Sequence, residues 1–336
     1  MRFAGLDVHK SFIQVCILDR SSGLLEEFRI ESNSEALRGV AETLSGVERV
    51  ALEASSHWHW VVDELQGMGF EVKLSHPSKT KAIASAKIKT DKIDAKMLAY
   101  LLSVDLLPEA HVPGARVREL RSYLRYRYAL VCMRTRCKNH IHAILAGYGL
   151  RPPVKDVFTK TGLAWLSGCK LRELHREEVD GYLGIMGELD ARIGEIDKRI
   201  TPLAEEDEAA CLLKSLHGIG YYSALLMAVE IDGVERFRSA KHLVSYGGLC
   251  PSTRSSGGKE YHGRITKSGS KYLRWILLEA AQKATFRSSP MHSFYCRIAA
   301  KKGHGTAKTA VARKLLESAY YILKKGEAFD SKAWAN

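Results

Sequence analysis

The sequence predicts an α/β domain followed by a mainly helical remainder, and three observations predict it. Within the first hundred or so residues, short apolar runs that read as strands are interleaved with helical patterns. From about residue 116, apolar residues recur at helical spacing over two long stretches rich in charge. From about residue 208, shorter helical patterns flank a stretch rich in Gly, Ser and basic residues. With 336 residues, 46% of them hydrophobic, the chain can build two or three cored domains. The expected boundaries are 1–110, 111–207 and 208–330.

Residues 2–8 and 12–19 read as two strands joined by a tight turn at His9-Lys10-Ser11. A helix is expected over 34–45, a buried strand over 48–54 and a helix near 58–68. Residues 69–75 alternate as a further strand. A basic, small-residue stretch follows Pro77 as far as Lys89, and a helix starts near Thr90. Residues 116–147 carry Arg116, Arg118, Arg121, Arg125, Arg127, Arg134, Arg136 and Lys138 among Leu and Tyr at helical spacing. Pro152-Pro153 interrupts, and 171–206 is again helical, with charges of both signs and apolar residues at Leu183, Ile185, Met186, Leu189, Ile193, Ile196 and Ile200. Together these stretches read as a long antiparallel, coiled-coil-like pair, suited to dimerisation and to nucleic-acid contact through Arg121, Arg125 and Arg134. In Leu216-His217-Gly218-Ile219-Gly220, two glycines between helical runs suggest a helix-hairpin-helix. There the backbone amides of Gly218 and Gly220 can approach a phosphate.

Lys and Arg total 51 against 38 Asp and Glu, a formal charge of +13, which favours a polyanionic partner. The seven cysteines form no CxxC pair and read as reduced thiols, which argues against a disulfide frame or a zinc site. The N-terminus runs straight into a strand pattern, so no signal peptide is expected, and no apolar run approaches a membrane span. A cytoplasmic, nucleoid-associated protein is the corresponding expectation.

Four acids stand out against this basic background: Asp7, Glu53, Asp91 and Asp94. Asp7 breaks the apolar run Phe3-Ala4-Gly5-Leu6-Asp7-Val8, and Glu53 ends the run Val50-Ala51-Leu52-Glu53. A carboxylate in a hydrophobic strand is costly without a partner or a metal. Asp91 and Asp94 lie three residues apart, so a helix capped by Thr90 presents both on one face of its first turn. If the four converge they form a cage for Mg²⁺ or Mn²⁺, the kind of centre that assists phosphoryl transfer. Acids in a first turn also complement the helix dipole without any metal. The second candidate is the stretch from Gly247 to Arg274. A serine hydroxyl there is a candidate nucleophile toward a phosphodiester, with Arg254, Lys259, Arg264, Lys267 and Arg274 stabilising the charged transition state. The plainer reading of that stretch is a solvated loop.

These motifs together resemble the DEDD transposases of bacterial insertion sequences, which include the Piv invertase and the bridge-RNA-guided serine recombinases. Gly5-Leu6-Asp7-Val8-His9-Lys10 resembles the family's opening strand. Leu52-Glu53-Ala54-Ser55 resembles its Glu motif, with His57-Trp58 where Gly and Tyr are more frequent. Lys89-Thr90-Asp91-Lys92-Ile93-Asp94-Ala95 resembles its paired-Asp motif, the most specific match. Residues 237–274 resemble its C-terminal transposase domain. The resemblance implies an RNase H-like (RuvC-like) N-terminal domain whose four acids bind Mg²⁺. It also implies a transient phosphoserine link to DNA, which maps to Ser256 with the adjacent Ser255 as the alternative nucleophile. Further implied are double-stranded DNA substrates (element ends and target), a structured noncoding RNA guide, and a homodimer or homotetramer. The acidic domain of one protomer would then act with the serine domain of another.

Three other readings compete. A junction-resolving nuclease would use the same acids with water as the nucleophile. A sugar-kinase-like ATPase also opens on an Asp-bearing strand, but its further Gly-rich phosphate loops are missing. A non-catalytic nucleic-acid binder has no need of four intact acids.

Overall fold

In the computed structural model the described residues are 1–23, 25–83, 90–256 and 259–330. The chain divides into two compact units, Met1–Pro113 and Gly114–Asn336.

The first unit is a mixed sheet covered on both faces. Its elements are β1 (Arg2–Val8), β2 (Phe12–Asp19), β3 (Leu25–Glu31), α1 (Ser34–Gly39), β4 (Val47–Glu53), α2 (Trp58–Gly67), β5 (Glu71–Ser75), α3 (Pro77–Ile83), α4 (Asp91–Ser103) and β6 (Glu109–Ala110). The strand order is β3-β2-β1-β4-β5-β6. β1, β2 and β3 pair antiparallel, while β4 runs parallel to β1, and β5 parallel to β4. Alternation along β1 and β4 sorts side chains between the two faces. Ala4, Leu6, Val8, Val50 and Leu52 join one core with Leu37 of α1 and Val61, Val62 and Leu65 of α2. Phe3 and Ala51 join another with Leu98, Leu101 and Leu102 of α4.

α4 lies close to the sheet because position 5 has no side chain. A Cβ on Gly5 would sit 2.6 Å from the Ala99 backbone nitrogen, and nearer still to the Ala95 carbonyl oxygen. The helix therefore rests on the backbone of β1. β3 was not expected from the sequence: its half-exposed edge position leaves it weakly patterned. Residues 77–83 form α3 within the basic stretch to which the sequence assigns no element, and the rest of that stretch, 84–89, lies outside the described residues.

Among its described residues the second unit is helical apart from the hairpin of two strands. It comprises α5 (Ala115–Gly147), α6 (Lys160–Gly168), α7 (Glu173–Glu206), α8 (Glu208–Leu213), α9 (Tyr221–Ile231), α10 (Ala240–Tyr246), β7 (Pro251–Ser256), β8 (Lys259–Ile265), α11 (Lys271–Ala281), α12 (His292–Lys302) and α13 (His304–Lys325). α5 and α7 pack antiparallel. Arg127 pairs with Asp197, and seven residues further along α5, Arg134 pairs with Asp190, seven residues back along α7. One end of the pair shares a core with α8, α9, α10, α11 and α13. The other end has its own, formed by Cys137, Ile141 and Leu145 of α5, Leu166 of α6, and Val179 and Met186 of α7. β7 and β8 form an antiparallel hairpin where the sequence suggested a loop. Its run Pro251-Ser252-Thr253-Arg254-Ser255-Ser256 carries no apolar alternation to betray a strand. Gly257 and Gly258 lie outside the described residues.

Candidate metal centre and basic hairpin

The acids gather where β1 ends and α4 begins. Thr90 caps α4, its hydroxyl accepting from the Ile93 amide at 3.3 Å, which places Asp91 and Asp94 in the first turn. Asp7 lies on the α4 face of β1, two residues beyond Gly5, and is 16% exposed. Leu6 pairs with Leu52 across β1 and β4, so Glu53 is the next position along β4 and shares the face of Asp7. The other neighbours continue the row. Gln14 of β2 is the register partner of Asp7, and Arg29 of β3 that of Gln14. Gln14 is buried and donates to the Phe28 carbonyl at 2.9 Å. Arg29 reaches Asp91 at 3.7 Å. A polar band thus crosses four strands beneath the first turn of α4.

The centre also holds a residue that no sequence argument singled out. His9 Nε2 lies 3.0 Å from Asp7 Oδ2 and 3.3 Å from Asp91 Oδ1. Asp7, His9 and Asp91 each offer a ligand atom, and these atoms all lie within 4.8 Å of one another. Glu53 and Asp94 are not in that tight group. Asp94 is nonetheless close enough to act on Asp7. Burial pushes the Asp7 carboxyl above its ordinary value, the His9 hydrogen bond draws it down, and the charges of Asp94 and Asp91 raise it. The signal for His9 was present in the sequence as Asp7-Val8-His9. Residues two apart at a strand end share a face, so an imidazole joins the carboxylate. Carboxylate oxygens with one imidazole nitrogen form a donor set that fits a divalent cation.

In the second unit, most α5 residues assigned to nucleic acid face inward. Arg125 makes a bidentate pair with Glu230, at 2.9 and 3.1 Å, and its guanidinium lies 4.5 Å from the centre of the Tyr272 ring. Arg121 donates to the Val229 carbonyl at 2.6 Å and to the Glu230 carbonyl at 3.3 Å. Arg134 pairs with Asp190. Helical spacing explains this: Arg121 and Arg125, four apart, share the face against α9, while Arg127 and Arg134, seven apart, share the face against α7.

Gly218 takes a positive φ of 87°, and a Cβ there would meet Lys283 Cγ at 3.1 Å. Gly220 is the N-cap of α9, with open space where a side chain would be. The hairpin places Ser255 opposite Glu260, and Ser256 opposite Lys259 at its tip. Arg254 is on the same strand. Arg264 and Lys267 are exposed, and Arg274 donates to the Gly247 carbonyl at 3.1 Å.

Comparison with known proteins agrees over both units. A DEDD-type IS110 family model described as "Transposase" matches residues 4–150, and a model of the IS116/IS110/IS902 transposase family matches 210–296. The transposase of element IS1111A from Coxiella burnetii is 23% identical, covering 98% of this chain and 91% of its own length. A probable family 20 transposase from Pseudomonas aeruginosa is 27% identical over 83% of this chain and 82% of its own. The transposase of IS1328 from Yersinia enterocolitica is 26% identical over 83% and 85%. Among solved structures, Thermus thermophilus RuvC in complex with a Holliday junction substrate aligns with 33% of this chain and 99% of its own, at 14% identity and a TM-score of 0.27. The chain belongs to the DEDD-type transposases of bacterial insertion sequences, a family of enzymes. Among the described residues, no helix is long and apolar enough to cross a membrane.

Proposed function

We propose that this protein is the DNA recombinase of its insertion sequence, cleaving and rejoining strands with an RNase H-like acidic centre and a serine nucleophile. The observation that carries the reading is the meeting of Asp7 and Asp91 at the end of β1, in a chain whose two halves match transposase families. Asp7, Glu53, Asp91 and Asp94 would hold Mg²⁺ or Mn²⁺, which when bound neutralises charge developing on a phosphoryl group. Gly5 lets α4 deliver Asp91 to Asp7, and Thr90 fixes the turn that carries Asp91 and Asp94.

The covalent step belongs to Ser256. Its Oγ forms a bond to phosphorus as the sugar oxygen leaves with the bonding pair, and the hydroxyl proton passes to that oxygen. Attack by the sugar hydroxyl of a second strand reverses the step and restores a phosphodiester. The hairpin supports this assignment because it carries Ser256 at its tip, among basic residues. Gly218 and Gly220 join two helices in the manner of a helix-hairpin-helix, a mode of phosphate contact. Nucleic-acid contact is assigned to exposed cations such as Arg264 and Lys267, since Glu230 takes up the Arg125 guanidinium. A structured noncoding RNA is the proposed guide, and a homodimer or homotetramer the proposed working state.

The test is strand exchange on DNA carrying the element's ends, with denaturing gels to trap covalent protein–DNA adducts. Wild type gives adducts and exchanged strands. Ser256→Ala abolishes both, and Asp7→Asn lowers cleavage by at least about a hundredfold. Cleavage that persists in Ser256→Ala without any adduct would identify water as the nucleophile and overturn the serine assignment.

A further inference from the structure

We infer that His9 is a nitrogen ligand of the acidic centre, and that it biases the centre toward Mn²⁺ over Mg²⁺. The inference rests on the metal-centre reading above and deepens it by naming a ligand and an ion.

The position of the imidazole is built into the fold. β1 ends at Val8, and the His9 amide donates to the Phe12 carbonyl at 2.9 Å, closing the turn into β2. The Phe12 ring packs against the imidazole, with centroids 4.8 Å apart and planes inclined by 31°. Arg29 lies over the same Phe12 ring, 3.9 Å from its centroid. The backbone turn and this packing aim Nε2 at the two carboxylates. At 42% exposure the ring is still open to a cation arriving from solvent.

The separations fit shared ligation. Two ligands about 2.1 Å from one ion, on adjacent corners of an octahedron, are about 3.0 Å apart. His9 Nε2 is 3.0 Å from its Asp7 neighbour and 3.3 Å from its Asp91 neighbour. The same spacing also serves an imidazole–carboxylate hydrogen bond, so the decisive question is whether nitrogen touches the ion. The donor chemistry then sets the preference. Mg²⁺ favours oxygen donors and gives up its waters reluctantly, whereas nitrogen donors suit transition ions. A site with one imidazole among carboxylates therefore gains more from Mn²⁺.

The experiment is pulsed electron paramagnetic resonance of Mn²⁺ bound to the full-length protein, with Mn²⁺ and Mg²⁺ affinities measured by calorimetry. A ¹⁴N hyperfine coupling is expected in the wild type and is lost in His9→Ala. That variant binds Mn²⁺ at least about tenfold more weakly, while its Mg²⁺ affinity changes less. Mn²⁺ bound without nitrogen coupling in the wild type overturns the role of His9, as does coupling that survives in His9→Ala. The wild-type measurement needs no variant to fold. Asp7→Asn separates the two readings. If it abolishes Mn²⁺ binding while the wild type lacks nitrogen coupling, the acidic centre stands and only His9 falls. If Mn²⁺ binding is absent in the wild type, or unchanged in Asp7→Asn, the centre itself is overturned.

Discussion

Gly5 fixes how near α4 comes to the sheet, and with it where Asp91 meets Asp7. Any side chain at position 5 pushes against the backbone of Ala95 and Ala99. Gly5→Ala should destabilise the protein by about 1–3 kcal/mol, by overpacking, in urea unfolding followed by circular dichroism. It should also weaken Mn²⁺ binding. Gly39→Ala is the control: beyond its chain neighbours and its own helix backbone nothing lies within 4 Å of a Cβ there, so stability should change little and metal affinity not at all. At this scale the sequence was informative in part. Asp7 announced itself as a carboxylate in an apolar run. The register partners Gln14 and Arg29 did not, because strand pairing is not written in local spacing. β3, which supplies Arg29, was itself missed.

At the scale of elements, Glu230 ties three helices together. It lies in α9, is 1% exposed, pairs with Arg125 of α5 and accepts from the Ser270 hydroxyl at 2.9 Å. Ser270 is the N-cap of α11 and accepts in turn from the Leu273 amide at 3.1 Å. Glu230→Gln removes the charge and leaves Arg125 without its counter-ion. The expected cost is about 3 kcal/mol, near the low end for breaking a buried pair because Arg125 is 38% exposed. Chemical denaturation of the full chain measures it, and a loss under about 0.5 kcal/mol would make the pair incidental. The sequence displayed Glu230 inside an apolar helix, much as it displayed Asp7 inside an apolar strand. Its partner lies 105 residues away, so spacing could not distinguish an internal cross-link from a chemical group. The long helices themselves were legible from their 3.6-residue periodicity, within a residue or two of their ends.

At the scale of the whole molecule, the charge of +13 was legible at once, but not which cations are free to meet a polyanion. Binding to double-stranded DNA should weaken by about 10³-fold between 50 and 200 mM salt if roughly six phosphates are contacted. Arg264→Ala should reduce the slope of log affinity against log salt by about one. Arg125→Ala, checked for folding, should leave that slope unchanged, because its guanidinium faces Glu230. Equal effects of the two substitutions would return Arg125 to the contact surface. Family membership was readable from short motifs, since chemistry confines a few side chains to fixed positions while the surrounding residues drift.

The antiparallel pair of α5 and α7 has a metrical consequence. At 1.5 Å per residue the 33 residues of α5 form a rod about 50 Å long. Duplex DNA climbs about 3.4 Å per base pair, so a rod of that length laid alongside it spans roughly 15 base pairs, nearly one and a half turns. With a separate core at its far end, lengthening or shortening both helices by matched heptads would move that core by about 10 Å per heptad.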